Sequence, residues 1–112
     1  MALMELAVDF GSSYITVYKR GEGIVLKEAS VVVINSHKKK REVVEAGNAA
    51  KNYIRAAMGN AREVYPIREG VVVSVEDASL MMSEFIKRLL PDKLFRPQIR
   101  AVVMISSGLT LV

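Results

Sequence analysis

Apolar positions along this 112-residue chain change their spacing several times, and each change marks an element. Residues 6–10, Leu-Ala-Val-Asp-Phe, are mostly apolar and stop at Gly11-Ser12-Ser13, which predicts a buried strand. Residues 15–18 alternate and predict a second strand, with Lys19 and Arg20 opening a polar turn at Gly21-Glu22-Gly23. Residues 24–26 predict a third. Strand, Gly-Ser turn, strand, Gly turn, strand is the order of an antiparallel meander. A β-branched run comes next at 29–34, continuous from Val31 to Ile34, and then a short strand at 42–46.

The spacing then becomes helical. Asn48 stands where a helix cap belongs, and Ala49, Ala50, Tyr53, Ile54, Ala57 and Met58 recur at helical spacing behind it, with Gly59 as a stop. Pro66 and Gly70 bracket a loop before residues 71–73. Ser74, followed three residues later by Asp77, has the spacing of a capping box and opens a helix over 75–90. Its rows Met81/Phe85/Leu89 and Met82/Ile86/Leu90 make one broad apolar stripe, and the methionines read as core. Pro91 ends the helix, 92–97 form a loop, and 100–105 predict a final buried strand. A strand, a crossover of this length and a strand lie parallel in one sheet. The expectation is an α/β fold: a mixed sheet from a three-strand antiparallel meander plus one parallel strand, with a small inserted α/β segment. A parallel strand buried on both faces calls for neighbours and covering helices, so the chain reads like the first half of a domain.

Composition narrows the chemistry. Hydrophobic residues make up 51% and charged residues 25%, with mean hydropathy +0.23, which supplies a core and excludes disorder. The absence of cysteine excludes disulfides, thiolate catalysis and cysteine-based metal sites, and the single histidine, His37, excludes a multi-histidine site within one chain. The run at 101–105 is the longest apolar stretch, far short of the roughly 20 residues of a membrane-spanning helix. Met1-Ala-Leu-Met-Glu5 lacks the basic and long apolar regions of a signal peptide, so a cytosolic location is expected. The net charge is +4, and much of the excess sits in Lys38-Lys39-Lys40-Arg41. That run reads as a solvated turn between strands or as attraction to an anionic membrane surface. Nucleic-acid binding needs cations spread along a face with aromatics for stacking. The aromatic residues here are scattered, so no nucleic-acid partner is expected.

One segment carries chemistry: Val8-Asp-Phe-Gly-Ser-Ser-Tyr-Ile-Thr-Val-Tyr18. A carboxylate at a strand end, followed at once by Gly and two hydroxyl residues, suits phosphate and metal binding. The tight turn aims N–H groups and hydroxyls at phosphate oxygens, as a nest does. Asp9 would face a magnesium ion, which keeps several waters and few protein ligands. An ordinary Gly-Ser hairpin has the same pattern, so the motif by itself leaves both readings open.

The segment resembles the phosphate-1 hairpin of the actin-like ATPase superfamily. The rest of the chain resembles the bacterial actin MreB family in particular. The similar stretches are Gly23-Ile-Val-Leu-Lys-Glu-Ala-Ser-Val-Val-Val-Ile34, Gly47-Asn-Ala-Ala-Lys-Asn52, Gly59-Asn60, Tyr65-Pro-Ile-Arg-Glu-Gly-Val71, Phe85-Ile-Lys-Arg88, Arg96-Pro97 and Ile105-Ser-Ser-Gly-Leu-Thr110. They run in collinear order over nearly the whole chain. The resemblance implies a partial actin-like, ribonuclease H-like domain, with residues 1–30 and 75–112 as part of subdomain IA and 31–74 as an inserted IB-like segment. It implies ATP and magnesium as cofactors, with Asp9, Gly11, Ser12, Ser13 and Tyr14 at nucleotide-binding positions and Asp9 holding the metal through water. Tyr14 stands where the family usually has Asn, Ile15 where it often has Thr, and Ser106 where it usually has Pro. A phenol ring beside the phosphates is larger than an amide and less suited to its contacts.

The resemblance further implies a self-associating, ATP-dependent filament protein at the inner face of the cell membrane, working with cell-wall synthesis proteins to set cell shape. The family's catalytic glutamate, second phosphate loop and adenosine-binding residues fall outside these 112 residues. The expectation is no catalytic residue in this chain, weak or absent ATP binding, and no turnover by it alone. Two alternatives are a DnaK-type or pilus-assembly ATPase of the same superfamily and a degenerate actin-like module that only binds partners. The small 31–74 insert speaks against the first, and Tyr14 supports the second.

Asp92-Lys-Leu-Phe-Arg-Pro97 resembles the membrane-inserting loop of MreB proteins. Leu94 and Phe95 would enter the acyl boundary while Lys93, Arg96 and Arg100 meet anionic headgroups. The other reading folds Leu94 and Phe95 back onto the helix stripe. Replacing both with Ser separates the two. Release from anionic vesicles with an unchanged melting temperature is expected. Destabilisation on the scale of a lost buried Phe, roughly 3–5 kcal/mol, would make them core.

Overall fold

The computed structural model of the chain describes residues 3–37, 40–53, 61–90 and 97–105. The meander is present and longer than its apolar centres suggest: β1 (Leu3–Phe10), β2 (Tyr14–Lys19) and β3 (Gly23–Ala29). Alternation explains the fold of each strand. Met4, Leu6 and Val8 of β1, Ile15 and Val17 of β2 and Leu26 of β3 share one buried face. The run at 29–34 is divided at Ser30 and Val31, where the Ser30 N–H donates to the Ser13 carbonyl at 2.9 Å and turns the chain out of the first sheet.

Beyond that bend, β4 (Val32–His37) pairs with β5 (Lys40–Ala46) on one side and β6 (Ala61–Val64) on the other, all antiparallel. β4 is buried on both faces. Val32 and Ile34 join the main core, while Val33 joins Ala29, Val31 and Ala50 in a smaller cluster. That double burial explains its unbroken β-branched run. The short helix α1 (Asn48–Lys51) covers the smaller cluster with Ala50. Its cap is Gly47 rather than Asn48, with no side-chain cap hydrogen bond. The Asn48 side-chain oxygen instead accepts from the Ala29 N–H at 3.0 Å, because the helix begins against the end of β3. Residues 54–58 of the predicted helix, and the turn residues 38–39, lie outside the described residues. The loop expected around Pro66 and Gly70 holds a small hairpin, β7 (Ile67–Arg68) and β8 (Val71–Val72).

α2 (Val75–Leu89) follows the sequence closely. The Ser74 hydroxyl oxygen accepts from the Asp77 N–H at 3.2 Å, and Glu76 and Asp77 occupy the electropositive first turn. Arg41 of β5 clamps that turn, 2.7 Å from Glu76 and 2.5 Å from Asp77. Hydrogen bonds to Glu76 and then Asp77 raise its pKa above the ordinary arginine value. Met81 and Phe85 are completely buried, whereas Met82, Leu89 and Leu90 are half-buried at the core's edge.

The final strand, β9 (Gln98–Ile105), pairs parallel to β1 from Leu3↔Gln98 to Phe10↔Ile105, giving the sheet order β3-β2-β1-β9. The expected parallel crossover is therefore observed. The expected burial is not. β9 is exposed along its whole length, Val102 at 63%. The physical reason is position: β9 is the edge strand of its sheet, while α2 packs mainly against β5 and β3. Phe85→Ala should lower the unfolding free energy by about 3–5 kcal/mol, against about 1 kcal/mol for Met82→Ala, in urea denaturation. Equal losses would mean that both rows of α2 are core.

Candidate functional site: a phosphate-type hairpin and its groove

The turn between β1 and β2 is built around a close backbone approach. The Gly11 N–H donates to the Tyr14 carbonyl at 2.9 Å, closing the loop through Ser12 and Ser13. A Cβ at position 11 would lie 2.5 Å from that carbonyl oxygen, so only glycine fits. A second turn meets this one from far along the sequence. Glu69 and Gly70, both at positive φ (51° and 75°), form the two-residue connection between β7 and β8. The Gly70 N–H donates to the Ser12 hydroxyl oxygen at 2.9 Å. Two tight turns are thus tied together by one hydrogen bond.

The register fixes what faces the groove beside them. Asp9 pairs with Thr16, and Thr16 with Lys27, so the three form one row across β1, β2 and β3. This row lies on the face opposite Val8, Ile15 and Val17. Asp9, Ser12, Ser13, Thr16, Lys27 and Glu69 line the groove. Tyr14, 49% exposed, stands at its rim with the Lys27 ammonium 5.1 Å from its ring centroid. Behind the turn a smaller recess is bounded by Ser13, Tyr14, Ser30, Lys51 and Tyr65.

The five residues predicted from the hairpin motif, Asp9, Gly11, Ser12, Ser13 and Tyr14, all border this one groove. Lys93, Leu94, Phe95 and Arg96 lie outside the described residues, as does Ser106. Thr16, Lys27, Glu69 and Gly70 are additions the sequence reading missed. Thr16 and Lys27 were open to discovery, since alternation from Asp9 through the meander places them on the polar face. Glu69 and Gly70 had no local signal, because only the tertiary fold brings residue 70 to residue 12.

The family described as MreB/Mbl protein matches residues 3–112. The chain belongs to the MreB/Mbl family. It is 31% identical over 110 residues to the cell shape-determining protein MreB of Escherichia coli (strain K12), covering 96% of this chain and 32% of that protein. It is 30% identical over 95 residues to the cell shape-determining protein Mbl of Bacillus subtilis (strain 168), covering 85% and 28%. Two crystal structures of MreB5 of Spiroplasma citri share the fold. The one bound to AMPPNP superposes with a TM-score of 0.72 at 23% identity, covering 98% of this chain and 32% of that one. The one bound to ADP gives 0.70 at 23% identity, with 96% and 31% covered. The chain therefore spans about a third of the length of the MreB proteins it matches. Its architecture is a partial actin-like domain, as the resemblance implied.

The donor set suits magnesium bound through water. Among the described residues no cluster of three or more acidic or histidine side chains could cage a metal. Asp9 is half-buried on the groove wall and pairs in register with Thr16, so a single carboxylate there fits an ion retaining most of its own hydration.

Proposed function

We propose that this chain supplies the first phosphate-binding wall of the nucleotide site in an MreB-type cell-shape protein. The observation that carries the reading is the Gly11–Ser13 turn tied through Ser12 to Gly70. The Ser12 hydroxyl oxygen accepts from Gly70, which leaves its own proton to donate to a phosphate oxygen. The turn N–H groups add fixed donors, and Asp9 orients the hydrated magnesium that accompanies ATP. The same segment of fold occurs in the Spiroplasma citri MreB5 structures bound to ADP and AMPPNP, which supports the assignment. The groove is open, with Ser13 and Tyr14 exposed, so binding by this chain is weak and no turnover is expected from it alone. The whole protein, in this reading, forms ATP-dependent filaments at the inner membrane surface, with residues 93–96 as its lipid contact.

Titrating the isotope-labelled chain with magnesium and ATP should shift the amide resonances of Gly11, Ser12, Ser13 and Gly70 in the millimolar range, and Asp9→Asn should reduce the effect. A chain whose hairpin resonances do not move with ATP would instead be an interaction module.

We also propose that the chain associates with copies of itself through β9. Val102, Val103, Met104 and Ile105 are all about half-exposed or more, and β1 is the one strand that β9 pairs with among the described residues. An apolar edge of this kind is a template for another chain. Full burial of one such side chain is worth roughly 1.5–3 kcal/mol and about half of each is still exposed, so covering all four gains about 3–6 kcal/mol, against a small domain's stability of about 5–15 kcal/mol. Sedimentation should show mass rising with concentration. A monomer at every concentration, melting cooperatively, would show that β9 needs no cover.

A further inference from the structure

We propose that Lys27 is a phosphate-binding residue of this groove, seated for that role by the ring of Tyr14. The inference rests on the nucleotide reading above and adds a residue that neither the hairpin motif nor the fold likeness assigns.

The groove has a charge problem. Its acidic lining residues, Asp9 and Glu69, repel a polyphosphate, and one hydrated magnesium at Asp9 offsets only part of that repulsion. Lys27 is the cation among its described lining residues. Thr16 separates Lys27 from Asp9 in the cross-strand row, so the ammonium lies along the groove from the magnesium position and does not compete for it. Among the described residues no carboxylate pairs with Lys27, which leaves its three N–H donors for a ligand.

The Tyr14 ring is what fixes the ammonium there. Tyr14 sits directly opposite Ala29, whose small side chain leaves room for the ring to lean diagonally toward Lys27. The resulting cation–π contact, 5.1 Å to the centroid, holds a long side chain that would otherwise sample many rotamers. Less ordering is then required when phosphate binds. The phenol at position 14 is thus a partner of Lys27, and the two positions form one device.

Titrations of the 112-residue chain with magnesium tripolyphosphate, magnesium ATP and adenosine, followed by amide shifts, test the proposal. Lys27→Met should weaken both phosphate ligands about tenfold, as expected for loss of one charge-assisted contact, while adenosine, which carries no phosphate, should move the hairpin resonances of neither chain. Lys27→Arg should restore most of the affinity. Tyr14→Phe, which keeps the ring, should retain most of the phosphate affinity, Tyr14→Ala should weaken the phosphates severalfold, and adding Tyr14→Ala to Lys27→Met should weaken them no further. Lys19→Met, an equal loss of charge at a lysine paired with Glu22, should have no effect. Unchanged tripolyphosphate affinity in Lys27→Met would overturn the role of Lys27 while hairpin shifts in the same titration preserve the nucleotide reading. Equal losses in Lys27→Met and Lys19→Met would reduce the effect to net charge and overturn it as well. No hairpin shift in the unsubstituted chain would overturn both readings together.

Discussion

A slip of one residue between β1 and β2 would carry Asp9 into the core and Val8 into water. The candidate groove depends on that slip being forbidden. Strand side chains alternate faces, so a single register shift exchanges the two faces completely. Leu6, Val8, Ile15 and Val17 are all buried in the observed pairing, against Met81 and Phe85 of α2. At roughly 1.5–3 kcal/mol for each buried side chain, the wrong register would forfeit most of a small domain's stability. The core thus determines the site without contributing an atom to it. The row Asp9, Thr16, Lys27 is the other side of the same pairing.

A junction of polar contacts fastens the second sheet to the first, and the β7–β8 hairpin reaches the groove. Glu28, at the end of β3, accepts from the Asn48 N–H at 2.8 Å and lies 3.5 Å from Arg88 of α2. Arg88 also donates to the Ala46 carbonyl at 2.9 Å, and the Gly47 N–H donates to Val31 at 2.8 Å. These bonds join β3, β5, α1 and α2 at one corner. The Val73 N–H donates to the Pro66 carbonyl at 2.8 Å and closes the base of the β7–β8 hairpin, whose tip delivers Gly70 to Ser12. A turn that depends on a donor from another hairpin is held in shape only when the whole fold is in place.

The meander, α2 and the hairpin motif were legible because each is written in local periodicity or turn chemistry. Ile15 and Val17 announce their face by alternation, and Ser74 with Asp77 announces the start of α2 by its spacing. β6 was missed because Ala-Arg-Glu-Val carries no apolar alternation and is a strand by virtue of pairing with β4. Asn48 was misread as a cap because a cap and a side chain bridging to Ala29 call for the same residue type. The apolar run at 100–105 states that a strand is fit to be covered but not by what, and among the described residues β9 stands exposed. Of the groove's lining, Asp9, Gly11, Ser12, Ser13 and Tyr14 could be read from a contiguous motif, whereas Lys27 required the register and Gly70 the tertiary fold.

The parallel pairing of β9 with β1 also bears on how the chain folds as it is synthesised. β1 fills one of its edges within a short hairpin, by pairing with β2, as soon as Lys19 has emerged. Its other edge stays open until Gln98 and the residues after it appear, because Leu3 pairs with Gln98 and Phe10 with Ile105. Closing a loop of that length is entropically costly, and contacts so distant in sequence form late. Throughout the interval a nascent chain displays an unpaired edge whose residues are shaped for a parallel neighbour, and edges of that kind invite pairing with other chains. The strand that protects this edge of β1 is therefore separated from it by most of these 112 residues.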